Sequence, residues 1–594
     1  MDALEIPNST ESTLAPHRAE QEGDSIPLRD WIAAGVIVLV MLVLKAFYIH
    51  SLPWHSDEPQ HMHVVWSWAS GRLPYRDVFD NHSPLFGFSM SPLFRLVGER
   101  NDIVDTMRWF MLPLFALSVW CIYRMGAIVA SRRAGLWAAL VSGFFPLWFL
   151  KMGEFRTDVL WTTLWLVTLL ILVSGKVSLW RMFAAGLALG ATFSVSMKST
   201  LMLLTIIAAG AMVAGLRWIS GTRPTAGSVV GWLGRIGAAI AGLLVIPGAF
   251  VGFFASKGML DKMYYCVIQH NLTGSHSAGR ILRHFVTWHS LFIPLTLAVG
   301  WASLRLFKTD PHRAARRLFL LGVTGLFCPI LEGVWTNVTP QDYMPLWPLA
   351  GGFLVVLFVA GFQRLPVAPK VALALQTAVF VAVVAVEAGL AIYLRPPHPK
   401  VLPNIAGMEV IKEARALTRP DEFLMDPKGE SIYRQRPYWY VLETLTRKRL
   451  FAALDDDAGE TPKLTDDLPQ TLIDTRCAVV LPSIRMMEKT RKFVDENYVA
   501  VGMLHVLGKK VAPSKSGVYA FDLAVPERYT VVNAKGELVP GDLDGTPFNA
   551  PRELAPGHHE FRRTSGEKSV AVIWARSVEK GYSPFHQPTY DPLH

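Results

Sequence analysis

Two adjacent carboxylates, Asp57 and Glu58, follow closely on the first long apolar stretch of the chain, residues 31–49. Acids set just outside a bilayer are seldom packing residues, because a carboxylate near hydrocarbon has to be solvated, paired or used. The residues after them add cations and a constrained backbone: Gly71-Arg72-Leu73-Pro74-Tyr75-Arg76-Asp77, then Asn81-His82-Ser83-Pro84-Leu85. Gly and Pro at these spacings favour turns. A carboxylate can take the proton of a hydroxyl nucleophile, while Arg, Lys or His can steady a departing phosphate. Such a mixture at the head-group level suits chemistry on a lipid phosphate.

Three further connections carry the same kinds of group: Lys151-Met152-Gly153-Glu154-Phe155-Arg156-Thr157-Asp158, the tight Met197-Lys198-Ser199-Thr200, and Thr339-Pro340-Gln341-Asp342-Tyr343. For transfer of a glycosyl group from a phosphate, Asp57 is the candidate base, with Glu58 beside it. Asp158 is a second acid, placed to orient an acceptor or help hold a divalent cation. Lys198, Arg76 and His82 are candidate phosphate contacts; Arg156, Gln341 and Tyr343 complete the candidate substrate-binding set. Each has a plainer reading. The Asp57-Glu58 pair could be solvated or start a helix, Arg156 and Asp158 could form an interfacial ion pair, Lys198 could snorkel, and Tyr343 could belong to the aromatic belt. Oxygen ligands suit magnesium or manganese, but two acids in different loops do not define a metal site, and no certain cofactor follows.

The loops can act together only if apolar helices bundle so that they adjoin, and the composition supplies such helices. Of 594 residues, 51% are hydrophobic and 18% charged, with mean hydropathy +0.30, which excludes an ordinary soluble globular protein and implies a polytopic α-helical membrane protein. The net charge of +10 comes from short basic clusters between apolar stretches, a topology signal and not a nucleic-acid surface. Four scattered cysteines make neither a disulfide framework nor a structural zinc site. The polar N-terminus lacks the basic start of a signal peptide, so the first apolar run reads as a retained helix.

About 20 residues cross the hydrocarbon. Candidate spans fall near 31–49, 106–130, 134–150, 159–174, 182–197, 200–216, 229–254, 287–303, 318–335, 344–361 and 371–393, about eleven in all. With a cytoplasmic tail over 1–30, basic residues such as Arg132, Arg133, Lys176, Arg181, Arg313, Arg316 and Arg317 fall inside. An odd number of crossings then leaves the C-terminal third outside. Apolar spans stop after Tyr393, and Arg395-Pro396-Pro397-His398-Pro399 reads as a stiff linker. Beyond it, short strands at 422–425, 478–481 and 518–521 and a helix at 484–497 suggest a small α/β domain over 395–525. Gly/Pro-punctuated strands suggest a β-sandwich-like module over 526–594.

Asp57-Glu58, the spacing to Gly71-Arg72-Leu73-Pro74-Tyr75-Arg76-Asp77 and the Asn-x-x-Pro-Leu segment resemble the first periplasmic loop of bacterial GT-C glycosyltransferases of the protein-mannosyltransferase and aminoarabinose-transferase type (family 39). Arg156-Thr157-Asp158 looks like that superfamily's second acidic loop, Lys198 like its lysine between two helices, and Gln341-Asp342-Tyr343-Met344-Pro345-Leu346 like its late tyrosine-proline segment. The likeness covers roughly the first two-thirds of the chain. It implies a catalytic membrane domain over 31–394 with periplasmic loops, in a bacterial inner membrane. It also implies a polyprenyl-phosphate sugar donor, inversion at the anomeric carbon with or without a metal, Asp57 as base, and a lipid, glycan or protein acceptor. His82-Ser83-Pro84 stands where many relatives have a lysine before the turn, which makes a phosphate contact there pH-dependent. A transporter or flippase for an amphipathic lipid is the alternative, but its sites usually lie at the bilayer midplane between repeated halves, and no repeat is visible here. A non-catalytic scaffold would leave the recurrent acids and bases unexplained.

Overall fold

The computed structural model describes residues 25–219, 226–272, 292–306, 309–335, 338–362, 366–394, 404–448, 467–563 and 569–585. Most of the expected tail over 1–30 and the linker at 395–399 lie outside the described residues. The chain packs as two compact units. One is built from Met1–His50, Arg108–Phe253 and Gly274–Pro396, the other from Ser51–Met107, Phe254–Thr273 and Pro397–His594.

Six helices among the described residues are long and apolar enough to cross a bilayer: Leu28–Ser51, Ile103–Val129, Ser199–Ile219, Val229–Ser256, Pro311–Val334 and Pro369–Tyr393. The protein is therefore a multi-pass membrane protein. Shorter helices occupy the other stretches expected to span, namely Arg132–Phe144, Pro146–Lys151, Thr157–Val173, Leu179–Phe193, Phe292–Leu306 and Trp347–Phe362. The helix expected over 134–150 is broken at Phe145, which adopts φ −49°, ψ 115°. The cause is local: Pro146 has no N–H and pushes the residue before it out of the helical region.

In the first unit, small residues let helices meet backbone to backbone. A Cβ on Gly135 would lie 2.4 Å from the Tyr123 carbonyl oxygen, and one on Gly126 2.7 Å from the Gly135 Cα, so Leu112–Val129 and Arg132–Phe144 form a close hairpin. Arg133, at the start of its helix, points inward. It donates to Asp30 Oδ2 at 2.5 Å and also to Gln376, while Thr377 donates to Asp30 Oδ1 at 2.6 Å. A buried ion pair of this kind offsets its desolvation only when its remaining polar atoms are also bonded.

In the second unit the stretch expected as a loop after the first span is largely helical. Asp57 opens a helix, Asp57–Ala69, and a second follows at Leu85–Val97. Acids in the first turn face the positive end of the helix dipole, Pro59 needs no N–H there, and the turns beyond bury Met62, Val64, Val65 and Trp66. The stretch between stays a turn: Tyr75 sits at φ 70° and its hydroxyl donates to the His82 carbonyl at 2.8 Å.

The rest of this unit is mainly antiparallel sheet with short flanking helices. Its strands are β1 (Val479–Val480), β2 (Tyr498–Ala500), β3 (His505–Val511), β4 (Val518–Leu523), β5 (Glu527–Val532), β6 (Gly541–Leu543), β7 (Thr546–Phe548), β8 (Arg552–Leu554), β9 (Gly557–Arg563) and β10 (Val570–Trp574). One sheet runs β1-β3-β10-β5-β8 with β2 also on β3, and the other runs β4-β9-β6-β7. All five residues of β10 are buried, as a strand covered on both faces requires, whereas β4 alternates in the manner of a sheet with one wet face. At Gly508 in β3 a Cβ would meet the Val572 carbonyl oxygen at 2.6 Å, so only glycine lets β3 lie against β10 there. One apolar core, from Leu424 and Val479 through Val531, Phe561 and Val572, runs beneath both sheets. The segment 422–425 makes only isolated bridges, Phe423 with Gln435 and Met425 with Val480, and the expected helix at 484–497 is Glu488–Asn497.

Candidate active site

In the second unit, the first turn of Asp57–Ala69 gathers polar side chains. Asp57 Oδ1 accepts from Lys428 Nζ at 2.5 Å, and Oδ2 stands 3.4 Å from His55 Nδ1. Glu58 is fully buried and accepts from the His55 amide at 2.7 Å; its carboxylate holds the entry to the helix. The two adjacent acids thus have different surroundings, with Asp57 30% exposed on its side chain and Glu58 inside. One turn on, the His61 ring meets the His82 ring at 4.7 Å. His82 Nδ1 lies 2.9 Å from Asp80 Oδ1, which also accepts the His82 amide. Arg76 is half-exposed and donates twice to its neighbour Asp77, at 2.8 Å each. That hydrogen bond, and then the charge, raise its pKa and hold Asp77 low.

The second unit also supplies what holds this turn. Asn271 donates to the Asn81 carbonyl at 2.8 Å, and His270 Nε2 lies 3.0 Å from Glu443 Oε1. Glu430, in the loop that carries Lys428, is pushed up to about 7 by burial and then by the charge of Asp426.

In the first unit, a second cluster forms where Thr157–Val173 begins, where Ser199–Ile219 begins and where a short turn, Pro340–Tyr343, precedes a late helix. Arg156 pairs with Asp158 at 3.1 Å and with Glu154 at 3.6 Å, and Lys151 donates to Glu154 at 2.7 Å. Lys198 donates to the fully buried Asp342 and lies 5.5 Å above the Trp335 ring. Burial would lower the Lys198 pKa, but the charges of Asp342 and Asp158 outweigh it, so the pKa is raised. Asp342 caps its own turn, accepting from the Thr339 amide at 2.8 Å and hydroxyl at 3.1 Å. Tyr343 donates to Glu332 at 2.6 Å. Burial and that acceptor push its phenol above the usual range. The Gln341 amide oxygen is buried with no hydrogen-bond partner among the described residues.

The structure thus brings Arg156, Asp158 and Lys198 together with the Gln341–Tyr343 turn in one unit, and Asp57, Glu58, Arg76 and His82 into the other. Lys428 and Asp342 were not among the residues expected from sequence. Asp342 lay inside a quoted motif, and its Thr339-x-x-Asp342 capping spacing was the available signal. Lys428 had none, being 371 positions from its partner. Among the described residues no group of three or more His, Cys, Asp or Glu could hold a metal ion.

The fold is similar to that of solved membrane-protein structures. The chain aligns with ArnT, an aminoarabinose transferase from Cupriavidus metallidurans, in a structure bound to undecaprenyl phosphate. The TM-score is 0.54 at 14% identity, covering 79% of this chain and 95% of that one. The apo form of the same protein gives 0.52 at 12% identity with the same coverage. The Archaeoglobus fulgidus oligosaccharyltransferase tethered with an acceptor peptide gives 0.42 at 10% identity, over 82% of this chain and 74% of that one. No protein-family model and no curated protein matches the sequence. At these identities the likeness is one of fold.

Proposed function

We propose that the protein is a membrane glycosyltransferase that moves one sugar from a polyprenyl-phosphate carrier to a lipid, glycan or protein acceptor at the outer face of a bacterial inner membrane. The observation that carries this reading is the Asp57 carboxylate, part-exposed at a helix start just after the first span and held by Lys428 and His55. Asp57 takes the proton of the acceptor hydroxyl as its oxygen bonds to the anomeric carbon. The bond from that carbon to the phosphate oxygen breaks, the carrier leaves as polyprenyl phosphate, and attack opposite the leaving group inverts the centre. We assign Arg76, His82, Arg156, Lys198, Gln341 and Tyr343 to substrate binding and Asp158 to orienting the acceptor. The undecaprenyl phosphate of the similarly folded ArnT supports a lipid-phosphate donor. In this arrangement about eleven crossings form the catalytic part over 31–394, and the region from 395 onward stands at the outer face.

Mass spectrometry of lipid-linked sugars and surface glycans in a deletion strain tests this. Accumulated donor and a missing glycan are expected, with restoration by the wild-type gene and none by Asp57→Asn at equal membrane abundance, a loss of at least about a hundredfold in transfer. Full restoration by Asp57→Asn would remove the base assignment.

A further inference from the structure

The carboxylate at the start of Asp57–Ala69 meets a cation that arrives from the soluble region. Lys428 Nζ lies 2.5 Å from Asp57 Oδ1 and 3.4 Å from Ser56 Oγ, and its side chain is only 3% exposed. The cost of burying an ammonium is offset only where a partner pairs with it.

The loop bearing it is built onto that same helix. Fully buried Asp426 accepts from the Gly429 amide, from the Ser431 amide at 2.9 Å and from the Ser431 hydroxyl at 2.6 Å, and pairs with Arg436 at 3.2 Å. The Lys428 amide donates to Glu430 at 2.7 Å. Gly429 turns the chain at φ +86°, with its would-be Cβ 2.8 Å from the His63 Cβ; a larger residue would displace the helix. His63 Nδ1 in turn lies 2.8 Å from the Ile432 carbonyl. Backbone and side chains together deliver Lys428 to the first helical turn.

We infer that Lys428 is a positioning residue for glycosyl transfer: it fixes the Asp57 carboxylate in one orientation and keeps it deprotonated when the acceptor hydroxyl arrives. The inference rests on Asp57 being the base. The charged and titratable groups around the pair are His55 and Glu58 from the helix entry and Asp426, Glu430 and Arg436 from the loop. A cation within hydrogen-bond reach lowers a carboxyl's proton affinity, so removing Lys428 moves the acid limb of the rate profile upward. Loss of the fixed orientation lowers the rate across the whole profile.

The test uses full-length protein in proteoliposomes, with a total membrane and cell-envelope extract of the deletion strain, holding lipids, glycans and proteins, as source of donor and acceptor and release of polyprenyl phosphate as readout. Lys428→Met is expected to lower turnover about tenfold or more at neutral pH and to shift the acid limb up by about one pH unit, while Lys428→Arg restores most of both. Folded Lys428→Met with wild-type turnover and an unmoved limb overturns the inference, as does turnover above wild type, which would make the pair inhibitory. Should Lys428→Met not fold, Lys428→Gln is judged by the same criteria. Failure of both neutral variants to fold beside a folded Lys428→Arg marks the lysine as structural and also overturns it. Wild-type protein inert towards the extract sinks the transferase reading itself, an outcome distinct from the others.

Discussion

Glu430 shows how burial turns a carboxylate into a pH-dependent element of stability. Burial, and then Asp426, push it up to about 7 from an ordinary value of 4.5, so between those values the folded state binds more protons than the unfolded one. Stability then falls as pH rises through this window. Glu430→Gln keeps an acceptor for the Lys428 amide without the charge. It should unfold like wild type near pH 4.5 and gain about 2 kcal/mol at pH 8, after discounting for the surface the residue retains. Thermal melts at the two pH values check this, and equal gains at both would contradict it. In the first unit, Asp342→Ala strips Lys198 of its partner and the Thr339 turn of its cap. A loss of about 3 kcal/mol is expected in detergent melts. Lys198→Met should cost less, because Asp342 still accepts from Thr339. Because the pair raises the Lys198 pKa, its contribution is whole below the ordinary lysine value and is lost as pH climbs past the raised one. Residues such as Asp57 and Asp158 could be singled out from sequence because a charge next to an apolar span is conspicuous by itself. Lys428 could not, since an ordinary lysine in a polar segment acquires its meaning from a fold that returns the chain to Asp57.

The helices were legible for the same reason, and the limits of that reading are also physical. Apolar length marks each span, but it says nothing of partners, and it missed the break at Phe145 because a proline inside an apolar run is compatible with a kinked crossing. The helix at Asp57–Ala69 was hidden because its turns mix His, Gln and Ser with Val and Trp, a pattern that apolar length does not detect. In the sheets, alternation revealed β4 and the apolar run revealed β10, yet nothing local says that β3 pairs with β10 across the sequence between them. Partner choice is written in small residues, and Gly135 tests it. A methyl group there would stand 2.4 Å from the Tyr123 carbonyl oxygen and 2.7 Å from the Ala127 nitrogen, both backbone atoms that cannot rotate away. Gly135→Ala should therefore pry the Leu112–Val129 and Arg132–Phe144 hairpin apart and cost about 2 kcal/mol, read as a lower melting temperature. By contrast Gly210→Ala, with open space around it, should leave the melt unchanged or raise it slightly, alanine being the better helix former.

Topology is the property of the whole chain on which the outer-face reading depends, and the basic residues that suggested it also have structural work. Arg317 donates to the Val129 carbonyl at 2.6 and 3.1 Å, and Arg316 to the Gly175 carbonyl at 2.9 Å. Both satisfy carbonyls at or just beyond helix C-terminal ends. Those bonds hold the turn after Val129, the turn after Val173 and the start of Pro311–Val334 on one side of the first unit. Asp30, Arg133 and Gln376 likewise tie together the starts of Leu28–Ser51, Arg132–Phe144 and Pro369–Tyr393. Every one of these ends is cytoplasmic in the orientation proposed from charge. Arg133, buried in an ion pair, would be kept whatever the orientation, so the charge bias alone is weaker than its count and an independent measurement is needed. The four native cysteines are all buried, so a single introduced surface thiol reports its own compartment. Lys515→Cys, on an exposed turn of the soluble region, should react with a membrane-impermeant maleimide added to spheroplasts. His312→Cys, exposed at the start of Pro311–Val334, should react only after the membrane is permeabilised. The reverse pattern would put the soluble region in the cytoplasm and take the acceptor chemistry with it. Labelling of both in intact spheroplasts would require an even number of crossings between residues 312 and 515, whereas three are proposed, at Pro311–Val334, Trp347–Phe362 and Pro369–Tyr393, and would mean that one of those helices fails to span.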